Sequence, residues 1–468
     1  MMQAVLLVDF GSTYTKVTAV DVDTAMLLGT ASVHTTVDTD INDGLMKALS
    51  CLTEKTGPLT FTKQFACSSA AGGLRMITAG LVPELTAEAA RLASLGAGAK
   101  VIKVFSFHLT RSDVQEIARL KPDIFLLTGG IDGGNTDCIL HNAKALSACE
   151  EDFPIVVAGN RNAADECAHI LRERKVYVCE NVLPKLNMLN IEPVQHVIRE
   201  LFLNRIIQAK GLSKTQKLID GILMPTPSAM MRAMELIAGG TKNTPGLGEL
   251  VAVDLGGATT DVYSVAKGAP GNDNVILRGL PEPYSKRTVE GDIGMRYSAA
   301  GTLEAAGIDK ITERSGLTKA EIESYLLSLQ QNPGILPEQQ KQKDFDFALA
   351  SAAIEVAVRR HAGSMEQVYT PTGPAYVQYG KDLTRINTLI MTGGAIVHNE
   401  KAAEISSYAL YNPNAPESLT PKRAAIYIDR KYILSAMGLL GEEYPETAIS
   451  IMKKELEKHE AVEQTPNQ

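Results

Sequence analysis

The chain has 468 residues, of which 45% are hydrophobic and 21% are charged, which is typical of a folded globular protein with about two to four domains. Its net charge of −8 and its lack of a basic block argue against a nucleic-acid-binding surface. No apolar run reaches the ~18–20 residues of a membrane span. The six cysteines form no C-x-x-C pair, so they predict reduced thiols in a cytoplasmic protein.

The N-terminal part of the chain is predicted to be mostly β. The segment LLVDFGSTYTKVTAVD, residues 6–21, has an apolar run, a short turn and a second β-prone run in direct succession, which is typical of a hairpin. Strands are expected near residues 4–9, 15–21, 26–35 and 62–70, and a helix near residues 42–54.

The turn of this hairpin has the chemistry of an anion site. Gly11 permits close approach of another group to the backbone, and Ser12 and Thr13 add hydroxyls and N–H donors. Asp9 would repel an anion unless a cation lies between them, which suits a phosphate with Mg²⁺. Lys16 could contact the same phosphate. On this segment alone, an ordinary hairpin with a polar turn is an equal alternative.

The pattern changes between about residues 83 and 182. Short apolar segments such as KVIKVFSF and DIFLLTGG alternate there with helical segments such as RSDVQEIARL. Strands that alternate with helices of this length form a parallel sheet covered on both faces. The sequence therefore predicts a doubly wound α/β insertion, followed by a helix near residues 191–210.

The opening pattern occurs a second time in ELVAVDLGGATTDVYSVA, residues 249–266. An apolar strand, Asp254, a glycine turn and a second strand follow one another, and Asp254 lies 254 − 9 = 245 residues after Asp9. This recurrence favours a phosphate site over two accidental polar turns. The other expected elements are a strand and helix at 222–240, helices over 300–372, a strand at 387–399 that runs into two glycines, a helix at 430–440 and a polar tail from 453.

Five motifs, in this order, resemble those of the actin/Hsp70/sugar-kinase superfamily. They are DFGST (9–13), MPTPSA (224–229), DLGGATTD (254–261), TGG (392–394) and YILSAMGLL (432–440). The resemblance implies an α/β fold with two ribonuclease-H-like domains that close around Mg-ATP. The implied division is a first lobe of residues 1–82 and 211–245, an inserted domain of 83–210, a second lobe of 246–452 with a helical insertion at about 300–372, and a tail of 453–468.

The resemblance also implies site residues. Asp9 and Asp254 would hold Mg²⁺ through water, and Asp261 would join them as a catalytic candidate. Lys16 would contact a phosphate, and Gly393 and Gly394 would border the adenosine. The turn residues expected to surround the phosphates are Gly11, Ser12, Thr13, Gly256, Gly257, Ala258 and Thr259.

One position departs from the superfamily pattern. Hsp70-like members carry an acid directly before the Pro-Thr of the second motif, whereas this chain has Met224. A carboxylate that could order the attacking water is therefore absent there, and slow ATP hydrolysis is expected. Asp261, Glu290 and Asp292 are the nearest acids that could take its place.

A narrower resemblance covers the whole chain. The segments CSSAAGGLRM (67–76), LLTGGIDGGNTD (126–137) and RTVEGDIGMRYSA (287–299), with the opening hairpin, are similar to the MutL (GlmL) family. This family is encoded beside adenosylcobalamin-dependent mutases such as glutamate mutase. The resemblance implies a slowly hydrolysing ATPase that acts as a chaperone or reactivating factor, with such a mutase as its partner and ATP and Mg²⁺ as its cofactors.

Two other functions were weighed against this one. A small-molecule kinase needs an aspartate general base near an acceptor hydroxyl, and no acid lies in an identifiable sugar-binding context. An actin-like filament protein is disfavoured by the large insertion after residue 80. The kinase is the stronger of the two alternatives.

Overall fold

The computed structural model describes residues 4–11, 13–34, 41–69, 74–208, 222–271, 274–371 and 373–460. Clustering of contacts divides the chain into two compact units. The first unit comprises Met1–Ala233, Gly279–Pro283 and Ser435–Ala448, and the second comprises Met234–Arg278, Tyr284–Leu434 and Ile449–Gln468.

The first unit begins with a mixed sheet and one covering helix. All seven residues of its first strand, AVLLVDF, are buried, as expected for an apolar run with neighbours on both sides. The elements are β1 (Ala4–Phe10), β2 (Tyr14–Asp21), β3 (Met26–His34), α1 (Ile41–Thr56) and β4 (Phe61–Ser68).

A parallel sheet with helices follows in the same unit. Separate apolar clusters lie on its two faces, so it is doubly wound, as predicted. Its elements are β5 (Arg75–Gly80), α2 (Glu88–Gly96), β6 (Lys100–Ser106), α3 (Arg111–Leu120), β7 (Ile124–Leu127), α4 (Asp137–Ser147), β8 (Ile155–Val157), α5 (Ala164–Ile170), β9 (Val176–Val178) and α6 (Glu192–Gln208).

The chain then returns to the first sheet before it enters the second unit. The strand β10 (Ile222–Pro225) pairs with β4, and the helix α7 (Thr226–Gly239) follows it directly. The next elements are β11 (Leu250–Leu255), β12 (Thr260–Val265), β13 (Val275–Arg278), β14 (Ser285–Glu290), α8 (Ala299–Ala306), α9 (Ile308–Ser315), α10 (Lys319–Gln331) and α11 (Gln340–His361).

The last part of the chain completes two sheets. Helix α11 is buried along much of its length and packs within the main apolar cluster of the second unit. The remaining elements are β15 (Ser364–Thr370), β16 (Gly373–Tyr379), β17 (Thr388–Thr392), α12 (Gly394–Val397), α13 (Ala402–Ser407), β18 (Ala425–Ile428), α14 (Leu434–Leu440), α15 (Pro445–Glu455) and β19 (Glu457–His459).

The two mixed sheets have the same topology. The first has the strand order β10-β4-β1-β2-β3, and the second has the order β18-β17-β11-β12-β14, with β19 added beyond β18. In each sheet the hairpin strands are antiparallel and the two strands beyond the first hairpin strand are parallel to it. This internal repeat confirms the predicted fold class, two ribonuclease-H-like sheets with a doubly wound α/β insertion.

The structure differs from the predicted elements in three places. Strand β5 lies before residue 83 but is a central strand of the parallel sheet, whose order is β6-β5-β7-β8-β9. Strand β15 begins at Ser364, inside the segment predicted as helical, and joins a three-stranded sheet of order β13-β16-β15. In the predicted polar tail, β19 pairs with β18. The predicted domain boundaries as such stay predictions.

Candidate functional site

The turn of the first hairpin requires glycine at residue 11. The amide of Gly11 donates to the carbonyl of Tyr14 at 3.0 Å, and a Cβ at Gly11 would lie 2.6 Å from that oxygen. No side chain is compatible with this approach. The register of β1 and β2 then places Asp9 directly opposite Lys16. Of the other predicted turn residues, Thr13 is half-buried, and Ser12 lies outside the described residues.

The carboxylate of Asp9 is held by three side chains of the first unit. The hydroxyl of Thr226 donates to Oδ1 at 2.7 Å, and the hydroxyl of Ser435 donates to Oδ2 at 2.9 Å. The ammonium of Lys16 lies 3.3 Å from Oδ2. Because Asp9 is only 3% exposed, it needs such donors to remain charged at low cost. Thr226 is the first residue of α7 and Ser435 is the second residue of α14. The starts of these two helices therefore supply the hydroxyl donors to Asp9.

Cys67 lies beside Asp9 on the neighbouring strand. The two residues are partners in the parallel β1–β4 register, and the hydroxyl of Thr226 lies 3.7 Å from the Cys67 sulfur. Cys67 is fully buried. Its burial raises the pKa of the thiol well above the ordinary value, and the charge of Asp9 raises it further. Cys67 is thus a buried structural cysteine at the end of β4.

The turn of the second hairpin repeats the geometry of the first. The amide of Gly256 donates to the carbonyl of Thr259 at 2.9 Å. A segment after β14 supports this turn, since the amide of Met295 donates to the Gly256 carbonyl and those of Arg296 and Tyr297 donate to the Gly257 carbonyl, at 3.1, 2.8 and 2.9 Å. The turn is therefore fixed through its carbonyl groups.

The N–H groups of this second turn have a different environment. Within the part of the chain that the structure describes, the amides of Gly257 and Ala258 donate to no protein acceptor, and a Cβ on Gly257 would have no neighbour closer than 3.7 Å. Successive N–H groups without a protein acceptor, on a turn fixed from behind, are suited to bind an anion. The predicted phosphate turn fits this requirement.

The acid of the second hairpin faces another acid. Asp254, which is half-buried, is the register partner of Asp261. Arg287 binds Asp261 through Nε at 2.7 Å and Nη2 at 2.5 Å, both to Oδ1. Burial, the largest single influence, acts to lower the pKa of Arg287, but the charges and hydrogen bonds of Asp261 and Tyr263 together raise it. The Thr259 hydroxyl donates to the other oxygen, Oδ2, at a longer 3.4 Å.

Of the other acids that could replace the carboxylate missing at Met224, Asp292 is exposed and Glu290 is half-buried. Glu290 forms an ion pair with Arg360 at 2.6 Å. The ion pairs of Arg287 and Arg296 lie largely out of solvent, and Arg296 binds Asp346 at 2.6 Å. Burial raises the pKa of Asp346, although Arg296 opposes this.

The two glycines predicted to border an adenosine differ in their surroundings. Gly393 has φ of 101°, and a Cβ there would lie 2.3 Å from the carbonyl oxygen of Leu255. Gly393 is therefore required by the packing of β17 against β11. A Cβ on Gly394 would have no neighbour within 4 Å, so Gly394 presents open backbone at the start of α12.

The donor set was compared with the requirements of Mg²⁺. Among the described residues, no group of three or more His, Cys, Asp or Glu side chains is arranged to hold a metal ion. Mg²⁺ usually keeps several waters and takes one or two carboxylates plus phosphate oxygens, so single acids at Asp9 and Asp254 fit an ion that is held with a phosphate ligand.

No helix in the described ranges is long and apolar enough to cross a membrane.

Sequence reasoning missed three residues of these clusters. Thr226 and Ser435 lie inside the motifs MPTPSA and YILSAMGLL, and a hydroxyl at a helix start is the signal that could have identified them. Arg287 lies just before VEGDIGM, and its contact with Asp261 depends on the pairing of β12 with β14, which sequence spacing does not give.

The repeated sheets, each with an acid and a glycine turn, define a protein of the two-domain actin-like α/β class. The chain belongs to the MutL family, because the profile described as MutL protein matches residues 5–456. It is 48% identical over 461 residues to Protein MutL of Clostridium tetanomorphum, a match that covers 98% of this chain and 100% of that protein.

Solved structures were compared as well. A nucleotide-free acetone carboxylase shares 13% identity, with 94% of this chain and 70% of that chain covered and a TM-score of 0.39. Xylulose kinase from Bifidobacterium adolescentis shares 11% identity, with 100% and 97% covered and a TM-score of 0.33.

Proposed function

We propose that this protein binds Mg-ATP and hydrolyses it slowly. The observation that carries this proposal is the pair of equivalent hairpins, each with an acid at the end of its first strand and a glycine turn behind it. The amides of Gly257 and Ala258 would bind phosphate oxygens, and Lys16 would add a positive charge. Asp9 and Asp254 would hold Mg²⁺, which neutralises phosphate charge when bound.

The slow rate is proposed from the surroundings of Asp261. With Met224 in place of an acid, Asp261 is the candidate to orient the attacking water. Arg287 occupies its Oδ1, and Oδ2 accepts only the long bond from Thr259 among the described residues, so Oδ2 can accept a hydrogen bond from water. A carboxylate that arginine holds through one oxygen has its other oxygen fixed in position to orient water, and a site that orients water without a further general base suits slow turnover.

The proposed cellular role is reactivation of an adenosylcobalamin-dependent mutase in the cytoplasm. Membership in the MutL family supports this role, together with the resemblance of the sequence to proteins encoded beside such mutases. The doubly wound sheet has its own two apolar clusters, as expected for a part that contacts a partner as a rigid body. Loss of phosphate contacts on hydrolysis would shift the population of conformers, and thereby act on the mutase.

Nucleotide binding is tested by calorimetry with ATP, with and without Mg²⁺. We expect micromolar affinity, about −8 kcal/mol, and Asp254→Ala should weaken the Mg²⁺-dependent part. Asp309→Ala is the matched control, because Asp309 is 88% exposed and lies outside both hairpins. Absence of ATP binding to the unaltered protein in both conditions would refute the nucleotide proposal.

The cellular role is tested on a mutase inactivated with damaged cobalamin. Adding this protein, ATP and free adenosylcobalamin should restore mutase turnover, and Asp9→Ala should abolish the recovery while the variant retains its circular dichroism spectrum. Equal recovery without ATP, or with the Asp9 variant, would contradict the reactivating role. ATP turnover that requires a small-molecule acceptor would instead indicate the alternative, a kinase.

A further inference from the structure

Ser435 makes a contact that the motif chemistry does not require. It lies in α14, is 4% exposed, and is separated from Asp9 by 426 residues of sequence, yet its hydroxyl reaches Asp9 Oδ2 at 2.9 Å. Both residues belong to the first unit. A hydroxyl buried at this point can be satisfied in several ways, and here it is directed to the acid proposed to hold the metal.

The three hydroxyl and ammonium donors on the Asp9 carboxylate leave one of its hydrogen-bond acceptor positions open. A carboxylate has about four acceptor positions, two on each oxygen. On Asp9, Oδ2 accepts from Ser435 and Lys16, whereas Thr226 is the described hydroxyl that donates to Oδ1, and the neighbouring Cys67 thiol is only a weak donor to this carboxylate. The remaining position is therefore on Oδ1, and it can accept a hydrogen bond from a metal-bound water.

Ser435 decides which oxygen has that free position. Without its hydroxyl, Oδ2 would retain only Lys16, at the longer distance of 3.3 Å. The two oxygens would then each have one donor, and rotation of the carboxylate about its last bond would no longer be opposed by a second bond to Oδ2. Asp9 would keep its charge but lose its fixed orientation.

We propose that Ser435 is a positioning residue that orients the Asp9 carboxylate toward the Mg²⁺ of the bound nucleotide, an inference that rests on the proposed nucleotide function. It predicts a selective defect. The Mg²⁺-dependent gain in ATP affinity should fall when the hydroxyl is removed, whereas binding of metal-free ATP should not change, because the phosphate-binding amides are untouched.

The experiment measures ATP affinity by calorimetry, in excess Mg²⁺ and in chelator, for four proteins. Ser435→Ala should lower the Mg²⁺-dependent gain by about tenfold, the range expected for one hydrogen bond to a charged group. Ser435→Thr restores the hydroxyl and should recover most of the gain. Ser94→Ala is the matched control, since Ser94 is also buried but lies in α2, outside the five motifs, and donates to the carbonyl of Ala90 at 2.9 Å.

The outcomes separate this inference from the proposed function. If the unaltered protein binds ATP with a Mg²⁺-dependent gain that Ser435→Ala retains in full, the positioning role is overturned and nucleotide binding stands. If Ser435→Ala and Ser94→Ala lose the gain equally, the effect is general destabilisation and the role is again overturned. If the unaltered protein binds no ATP, both fail together. Should Ser435→Ala not fold, Ser435→Cys keeps a side chain of similar size with a weak donor, and it must show a reduced gain.

Discussion

The two hairpins share a backbone but hold their acids in different ways. In the first, Asp9 faces Lys16 and accepts two neutral hydroxyl donors. In the second, Asp254 faces Asp261, whose charge is compensated by a buried arginine. The same strand–turn–strand unit therefore supports one site of hydroxyls and lysine and another built around an ion pair.

This difference concerns how easily each acid can change partners. Loss of one hydroxyl donor from Asp9 costs about 1.5–3 kcal/mol, the net value of a hydrogen bond to a charged group, and leaves the other donors in place. The Arg287–Asp261 pair is 5% and 14% exposed, and removing one member of such a pair leaves an uncompensated charge. We infer that the first hairpin is the adaptable one and that the second is a fixed support.

The strongest test of this comparison is to remove the basic side chain that pairs with an acid of each hairpin, Lys16 for Asp9 and Arg287 for Asp261. Arg287→Met should lower the free energy of unfolding by about 3–5 kcal/mol, because Asp261 is left buried without its counter-charge. Lys16→Met should cost less, about 1.5–3 kcal/mol, since Asp9 keeps both hydroxyl donors. Urea unfolding of the two variants measures the difference.

The control for this pair of variants is a double replacement. Arg287→Met combined with Asp261→Asn removes both charges, so it should recover much of the stability lost by Arg287→Met alone. If Lys16→Met is as destabilising as Arg287→Met, the distinction between an adaptable and a fixed hairpin is wrong.

A second comparison uses two adjacent glycines beside the second hairpin. Gly393→Ala should destabilise the protein by roughly 2–3 kcal/mol, because a Cβ would meet the Leu255 backbone and the backbone φ disfavours side chains. Gly394→Ala, one residue further, should be within about 0.5 kcal/mol of the unaltered protein, because its Cβ points into open space. Thermal unfolding distinguishes them, and equal effects would mean that the packing of β17 on β11 tolerates a side chain.

Much of the fold could be predicted because its signals are local. Apolar runs with turns marked both hairpins, and alternating strands and helices marked the parallel sheet. Two of the elements that were missed, β15 and β19, lack such signals. Strand β19 has the sequence EKH, and it is a strand only because its backbone pairs with β18. Strand β15 follows a long helical segment, and its pairing with β16 depends on a hairpin rather than on apolar periodicity.

The candidate site could be predicted only where its contacts are short in sequence. Lys16 lies seven residues from Asp9, so the hairpin register brings them together without tertiary information. The contacts of Asp9 with Thr226 and Ser435 span 217 and 426 residues and require the strand order of the first sheet. Arg287 similarly reaches Asp261 from a neighbouring strand. Motif order indicated the site, whereas its hydrogen bonds followed from topology.

The last prediction concerns the residue beside each acid on the parallel strand, which is Cys67 beside Asp9 and Thr392 beside Asp254. Because the pKa of Cys67 is raised in the folded protein, its thiol ionises more readily in the unfolded chain. The stability that it contributes is present below the unfolded thiol pKa of about 8.5 and is lost as pH rises above it, by at most about 1.4 kcal/mol per pH unit. Cys67→Ala should therefore flatten the decline in unfolding free energy between about pH 8.5 and 10, whatever its offset at neutral pH. Cys67→Ser also lacks the thiol and should flatten this decline equally. An unchanged slope of unfolding free energy against pH in both variants would show that this thiol does not limit the alkaline stability of the protein.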